Sequence, residues 1–299
     1  MSSRNASTAR PGLGACLFVM GVAFMFGSGA LLAKFAYGGG TNALTLMVVR
    51  TLAAMTWLIL FLRFSGVSLR LPPEQRWRAL AMGILLISNT FGLYYAFEHM
   101  PGPLAILTFY IYPILVTLAQ SLNGREPMTL NKLLALILAF GGLTLALRGG
   151  TTLEPTLAGV ISATCGAIGF TAIFILSDRI FPRGDSRPRT VHMLASANVI
   201  YLVACAVTGS FVLPASTLGW VGLVGVCITF PLAVTGFFMA VGRVPPSQSA
   251  ILMNVEPLTV VLGSAIIFHE NLAPLQILGA LLVLAAIVIV QVPPRRRRG

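Results

Sequence analysis

Acidic side chains are scarce in this chain: eight Asp and Glu stand against 20 Lys and Arg among 299 residues, beside three histidines and four cysteines. Charged residues of all kinds make up 9%, where an ordinary soluble domain carries roughly 25%. So few charges leave no means of covering a water-facing surface, which excludes a soluble globular domain. Cys16, Cys165, Cys205 and Cys227 all fall inside apolar runs with no CxxC spacing. Neither a disulfide nor a thiolate metal site is expected from them; they read as small buried hydrophobes. His99, His192 and His269 are scattered and make no ligand set for a metal. There is no HExxH, no GxSxG and no His/Asp cluster, so an enzyme is not expected, and no cofactor is implied. The GxxxxGK[ST] loop is missing too, so direct ATP drive would need another subunit.

What the chain has in abundance is apolar sequence: 57% of it is hydrophobic and the mean hydropathy is +0.89. Runs of about 20 such residues with almost no charge read as membrane-spanning helices. Ten are expected, at 13–37, 43–62, 78–99, 103–122, 130–147, 156–180, 190–209, 218–241, 247–268 and 273–291. The first is too long for a cleaved signal peptide and is expected to remain as a span. The net charge of +12 invites a nucleic-acid reading, but the basic residues sit in short gaps and at the two ends. With the N-terminus inside, 17 of the 20 Lys and Arg fall on the inner side, leaving only Lys34, Arg50 and Arg148. That bias places both termini in the cytoplasm. The arginines at 295–298 suit attraction to anionic lipids rather than to nucleic acid.

The chain also repeats itself. Pro101, Pro113 and Glu126 recur 144 positions later as Pro245, Pro257 and Glu270, and Gly92 and Ala96 recur as Gly236 and Ala240. Each copy holds five expected helices, an odd number, so the second enters the membrane from the opposite face. The expectation is an all-α polytopic membrane protein of ten transmembrane helices, arranged as two inverted five-helix repeats. A cytoplasmic segment covers 1–12, the repeats 13–148 and 156–291, and a basic cytoplasmic tail 292–299. Folds of this kind put a substrate site near the midplane between the halves.

The doubled motif resembles the EamA-type members of the drug/metabolite transporter superfamily. The first copy shows Tyr95-Ala96, Pro101, Pro113, Glu126 and Gly141-Gly142; the second shows Ala240, Pro245-Pro246, Glu256-Pro257, Glu270 and Gly279. The likeness spans residues 13–291. It implies a multi-pass carrier of small molecules, often an exporter of amino acids or related metabolites; the expected location is a plasma membrane, such as a bacterial inner membrane. Where the second copy has Glu256 before its proline, the first has Tyr112, so the halves are chemically unequal there.

Six residues stand out as candidates for substrate binding or coupling. Glu256 is the only carboxylate near the middle of an expected span, and a charge at the bilayer centre costs at least about 2.5–3.5 kcal/mol. It must face the bundle interior or water, either to couple protons or bind a substrate amine, or as a hydrogen-bonded structural acid. Pro113 and Pro257 interrupt helices four and nine, freeing carbonyls to line a cavity or setting a static kink. Tyr110 and Tyr112 are the deepest of an aromatic group with Tyr94, Tyr95, Phe97 and Phe109, which reads as a pocket wall or as core and interfacial belt. Arg50 would bind a substrate carboxylate, pair with an acid, or snorkel to the interface as Lys34 does. Glu126 and Glu270, near the starts of helices five and ten, read as complements to those helix dipoles. Gly27-Ser28-Gly29, Gly141-Gly142, and Ser162 with Gly166 suggest close helix packing, with a broken first helix as an alternative at Gly27. The function expected is secondary transport by alternating access, with protons as a candidate partner. An uncoupled facilitator or channel is the other reading. The sequence leaves the oligomeric state open.

Overall fold

The computed structural model describes residues 12–99, 102–146, 156–180, 185–240, 243–267 and 273–291. Within them the chain forms α1 (Leu13–Gly38), α2 (Ala43–Phe64), α3 (Pro73–His99), α4 (Gly102–Phe109), α5 (Tyr112–Leu122) and α6 (Leu130–Ala146). The second half repeats the series as α7 (Leu157–Ile180), α8 (Arg187–Thr208), α9 (Thr217–Ala240), α10 (Pro246–Leu252), α11 (Val255–Ile267) and α12 (Pro274–Gln291). Seven helical stretches among the described residues are long and apolar enough to cross a membrane; Leu130–Ala146 and Pro274–Val290 are apolar but shorter. Helices suit lipid because they satisfy every backbone polar group internally. Large apolar side chains such as Leu17, Trp57, Ile137, Val207 and Ile228 stand on the outer surface, as lipid allows and water does not.

Some element boundaries differ from expectation for clear reasons. The third helix starts at Pro73 rather than 78. Its first turns are polar, and Glu74 pairs with Arg78 at 2.5 Å, so the apolar run understates the helix. The expected fourth and ninth helices are each broken in two, at Tyr110–Ile111 and at Met253–Asn254.

The larger packing contacts correspond when the two halves are exchanged, the α5–α10 contact excepted. Helix α1 packs on α9 as α7 packs on α3, and α2 on α9 as α8 on α3. Likewise α1 lies on α11 as α7 lies on α4 and α5, while α2 meets α8, α6 meets α12 and α5 meets α10. With no water to drive association inside a bilayer, such contacts depend on close van der Waals approach, which small residues permit. At the α6–α12 crossing, a Cβ on Gly142 would lie 2.7 Å from the Gly279 carbonyl oxygen. Gly141 faces open space instead. Ser162 and Gly166 of α7 meet Gly92 of α3. Helix α1 runs unbroken through Gly27–Gly29, which settles the question of a broken first helix.

One end of the bundle is clasped by polar contacts. Thr41 donates to the Val212 carbonyl, Thr45 to that of Ser210, and the Ala215 N–H to that of Gly39. Asn42 caps α2 through the Thr45 N–H at 2.8 Å and reaches Ser210 with its amide. At the other end, Arg187 stacks over Phe61, touches Ser65 and pairs with Asp185. Arg243 lies over Phe18 of α1, and Glu126 reaches Ser247. These contacts bring Arg125, Lys132, Arg187 and Arg243 to one end, called here the basic end.

Of the cysteines, Cys16 and Cys205 are buried, Cys227 is half-buried and Cys165 is exposed, so Cys165 departs from the buried expectation. Lys34 is exposed. Pro101, Arg148, His269, Glu270 and the tail arginines lie outside the described residues, as do the side chains of Tyr94 and Phe97.

Candidate functional site

The two helix breaks build the site. A proline has no N–H to give the carbonyl four residues back, its ring clashes with that carbonyl, and the residue before it is pushed away from helical geometry. In each half the chain stops before its proline and restarts with that proline in the first turn of the next helix, where the missing N–H costs little. Pro113 is the second residue of α5 and Pro257 the third of α11. Each proline thus follows a two-residue turn within its span. Around the breaks the backbone tightens in the same way twice. The Ile111 N–H donates to Thr108 and the Asn254 N–H to Ile251, three residues back. The buried Asn254 amide also donates to the Ile251 carbonyl at 2.8 Å. Sequence reading passed over Asn254, although a lone amide in an apolar run two residues before Glu-Pro is a usable signal.

The second break sets Glu256 in the first turn of α11, where it is half-buried. Tyr110, in the turn of the first break, and Tyr112, at the start of α5, both lie within electrostatic range of its carboxylate. Tyr110 is 5% exposed and Tyr112 is 0%. The buried Tyr110 hydroxyl makes no hydrogen bond of ordinary geometry, and the Glu256 carboxylate is the charged group beside it. Arg50 of α2 lies within electrostatic range of the same acid. It sits seven residues into that helix, roughly 10 Å from its start. Its guanidinium lies 4.5 Å from the centre of the Phe230 ring, a cation–π contact. Arg50 therefore turns inward and does not snorkel. Thus Arg50, Tyr110, Tyr112 and Glu256 converge, and Pro113 and Pro257 position them.

Gly27 makes room for this arrangement. A Cβ there would stand 2.6 Å from the Glu256 carbonyl oxygen and 2.7 Å from Cβ of Thr259. A side chain fits at this contact of α1 with α11 only if the helices move apart.

Toward the basic end lies an aromatic cluster that sequence reading did not assemble. Tyr112 contacts Phe109, Phe170 and Phe174, with ring centres 5.6, 4.7 and 5.8 Å away. Phe237 of α9 joins Phe170 and Phe174 at 5.6 and 5.0 Å. The Tyr112 hydroxyl donates to the Ala250 carbonyl of α10 at 3.4 Å, which ties the two halves at their breaks. The Tyr112 ring is thus packed as core. Phe174 and Phe237 also line a small cavity of about 20 Å³, together with Val19, Val22, Pro246, Ser249 and Met253. Its walls are almost wholly apolar. These phenylalanines come from α7 and α9, and in sequence they look like any other apolar residue of a span.

Glu126 pairs with Lys132 in the first turn of α6 and also serves the start of α10 in the other half, through Ser247.

A solved crystal structure of another protein superposes on this chain with a TM-score of 0.79, covering 95% of this chain and 99% of that one at 17% identity. That likeness concerns the fold alone. The sequence model of the EamA-like transporter family matches residues 13–148 and again 157–292. The first stretch carries α1–α6 and the second begins with α7 and runs through α12. Matched in two tandem copies along nearly its whole length, this chain belongs to the EamA-like transporter family.

Proposed function

We propose that the protein is a secondary transporter of ten spans, which exports a small metabolite such as an amino acid or a related compound by alternating access. Its two five-helix halves, 13–148 and 156–291, are inverted relative to each other and rock about the Glu256–Arg50 site. The observation that carries this reading is the meeting of one acid and one base where the two broken helices touch. Glu256 comes from the second half and Arg50 from the first, and Arg50 lies within electrostatic range of the acid. Opposite charges facing each other suit a substrate that carries an amine and a carboxylate. Tyr110 flanks the acid and supplies a hydroxyl, Tyr112 packs behind it, and discontinuous helices at a repeat interface are a recurrent way to build such a site.

In this reading the basic end faces the cytoplasm of a bacterial inner membrane, since 17 of 20 Lys and Arg fall on that side. The same residues meet anionic lipids there. Glu256 takes up and releases a proton during the cycle and so couples transport to the pH gradient. A thermal-shift screen of purified protein with amino acids, purines, polyamines and sugars finds the substrate, because ligands of the native state raise its apparent stability. Uptake into proteoliposomes then tests coupling. Glu256→Gln is expected to lose the response to an imposed pH gradient, and a variant that keeps its full response sinks the coupling. Trans-acceleration in counterflow separates this carrier from an uncoupled facilitator or pore, which shows none.

A further inference from the structure

We infer that Glu126 is a positioning residue that latches α10 shut across the basic end, and that its release opens the way to the Glu256–Arg50 site from that side. The inference rests on the alternating-access reading. Glu126 lies in the connection between α5 and α6, in the first half. Its Oε2 accepts from Lys132 Nζ at 2.7 Å and from the Ser247 hydroxyl, and its Oε1 from the Ser247 N–H at 3.4 Å. Ser247 is the second residue of α10, in the other half, and is fully buried. The Glu126 and Lys132 side chains are only 12% and 17% exposed. This is a charge-assisted contact largely shielded from water, at the end of a bundle where most charged groups are solvated.

Three features make α10 a movable element rather than a fixed strut. It is seven residues long, entered through the non-helical Pro245 and left through the turn at Met253–Asn254. The chain thus has a joint at each end of it. Its far end leads directly into Glu256. Its Pro246, Ser249 and Met253 side chains wall the apolar cavity beneath it, whose far wall is Phe174 and Phe237. Lifting α10 would open that cavity to solvent and leave the aromatic cluster as the last barrier before the acid. A partly buried ion pair suits a latch. Its mutual attraction is largely offset by the cost of drying both partners, so the open state, where both regain water, lies within reach.

The test uses a cysteine-free background, with Cys16, Cys165, Cys205 and Cys227 replaced, in lipid nanodiscs. Ser249→Cys reports on the cavity wall, where the native side chain is 8% exposed. Adding Glu126→Ala is expected to raise the rate of maleimide labelling about tenfold or more, the scale of one lost hydrogen bond to a charged group. Glu126→Asp is expected to bring it back toward the parent rate. An unchanged rate in Glu126→Ala overturns the latch. Labelling needs no substrate, so it reads the latch even in a chain that transports nothing. If Glu126→Ala does not fold, the Glu126→Cys/Ser247→Cys pair decides instead. Oxidised, it is expected to hold transport at zero, and reduction to restore it. Equal transport in both forms overturns the proposal.

Discussion

Replacing Gly27 with alanine tests whether the α1–α11 contact sets the position of Glu256. The added Cβ would lie 2.6 Å from the Glu256 carbonyl oxygen and 2.7 Å from Cβ of Thr259. Neither atom sits at the tip of a flexible side chain, so no rotamer change relieves the clash. The helices must part by several tenths of an ångström. Overpacking of this kind costs about 1–3 kcal/mol, and the better helix propensity of alanine returns roughly 1 kcal/mol at most. The net loss is therefore about 0–2 kcal/mol, a fall of a few degrees in unfolding temperature. Transport should suffer more. The carbonyl that moves belongs to the residue bearing the acid, and a 1 Å misplacement of a reacting group can cost about a hundredfold. A smaller shift puts the expected loss near tenfold. Two controls lie on the same helix. At Gly21 a Cβ meets nothing within 4 Å, and at Gly29 its closest neighbour is the Thr229 hydroxyl oxygen at 3.0 Å, which can rotate away. Gly21→Ala should be neutral or slightly stabilising, and Gly29→Ala intermediate. Thermal unfolding in detergent and uptake into proteoliposomes measure both effects. If Gly27→Ala matches Gly21→Ala in both, the steric reasoning is refuted.

Two further outcomes concern the ends of the bundle. Asn42→Ala removes the cap of α2 and the tie to Ser210, and should lower stability by about 1–2 kcal/mol. Asn42→Asp keeps the cap acceptor and should lose less, as thermal unfolding of the two variants will show. Hydrogen bonds from Arg187 hold the Asp185 carboxyl below the usual carboxylate range, against a smaller opposing effect of burial. Because the folded value is depressed, the stabilisation is complete above the unfolded value of about 3.9. It is lost as pH falls from there through the folded value. Asp185→Asn should therefore cost under about 1 kcal/mol between pH 5 and 8, as befits a partly exposed pair, and nothing once both forms are protonated. A cost that persists unchanged below pH 3 would count against the ion pair as its origin.

Much of this protein follows from sequence because a bilayer permits few structures. Apolar runs must be helices there, so the long helices and their connections were legible, as was the repeat that the family match now spans. The inward orientation of Glu256 was legible too, since an acid in hydrocarbon has nowhere else to go. The same argument applied to Arg50, but its place near a span end left snorkelling open until its guanidinium was seen over Phe230. What stayed hidden has one common cause. Lipid tails are as apolar as a protein core, so hydrophobicity does not tell which face of a span is buried. Cys165 and Cys205 both lie in apolar runs, yet one is exposed and the other buried. Phe174 and Phe237 look no different from the lipid-facing Phe24 or Phe91. Proline marks where an N–H is missing, but whether the helix bends or restarts depends on what packs around the gap. Glu126 could be placed at a helix start, but its partner in the other half lies 121 residues away. Composition and periodicity thus determined the helices, their number of copies and the need for an interior acid. Only the packing of one half against the other decided which side chains meet that acid, because those contacts join residues that no local pattern relates.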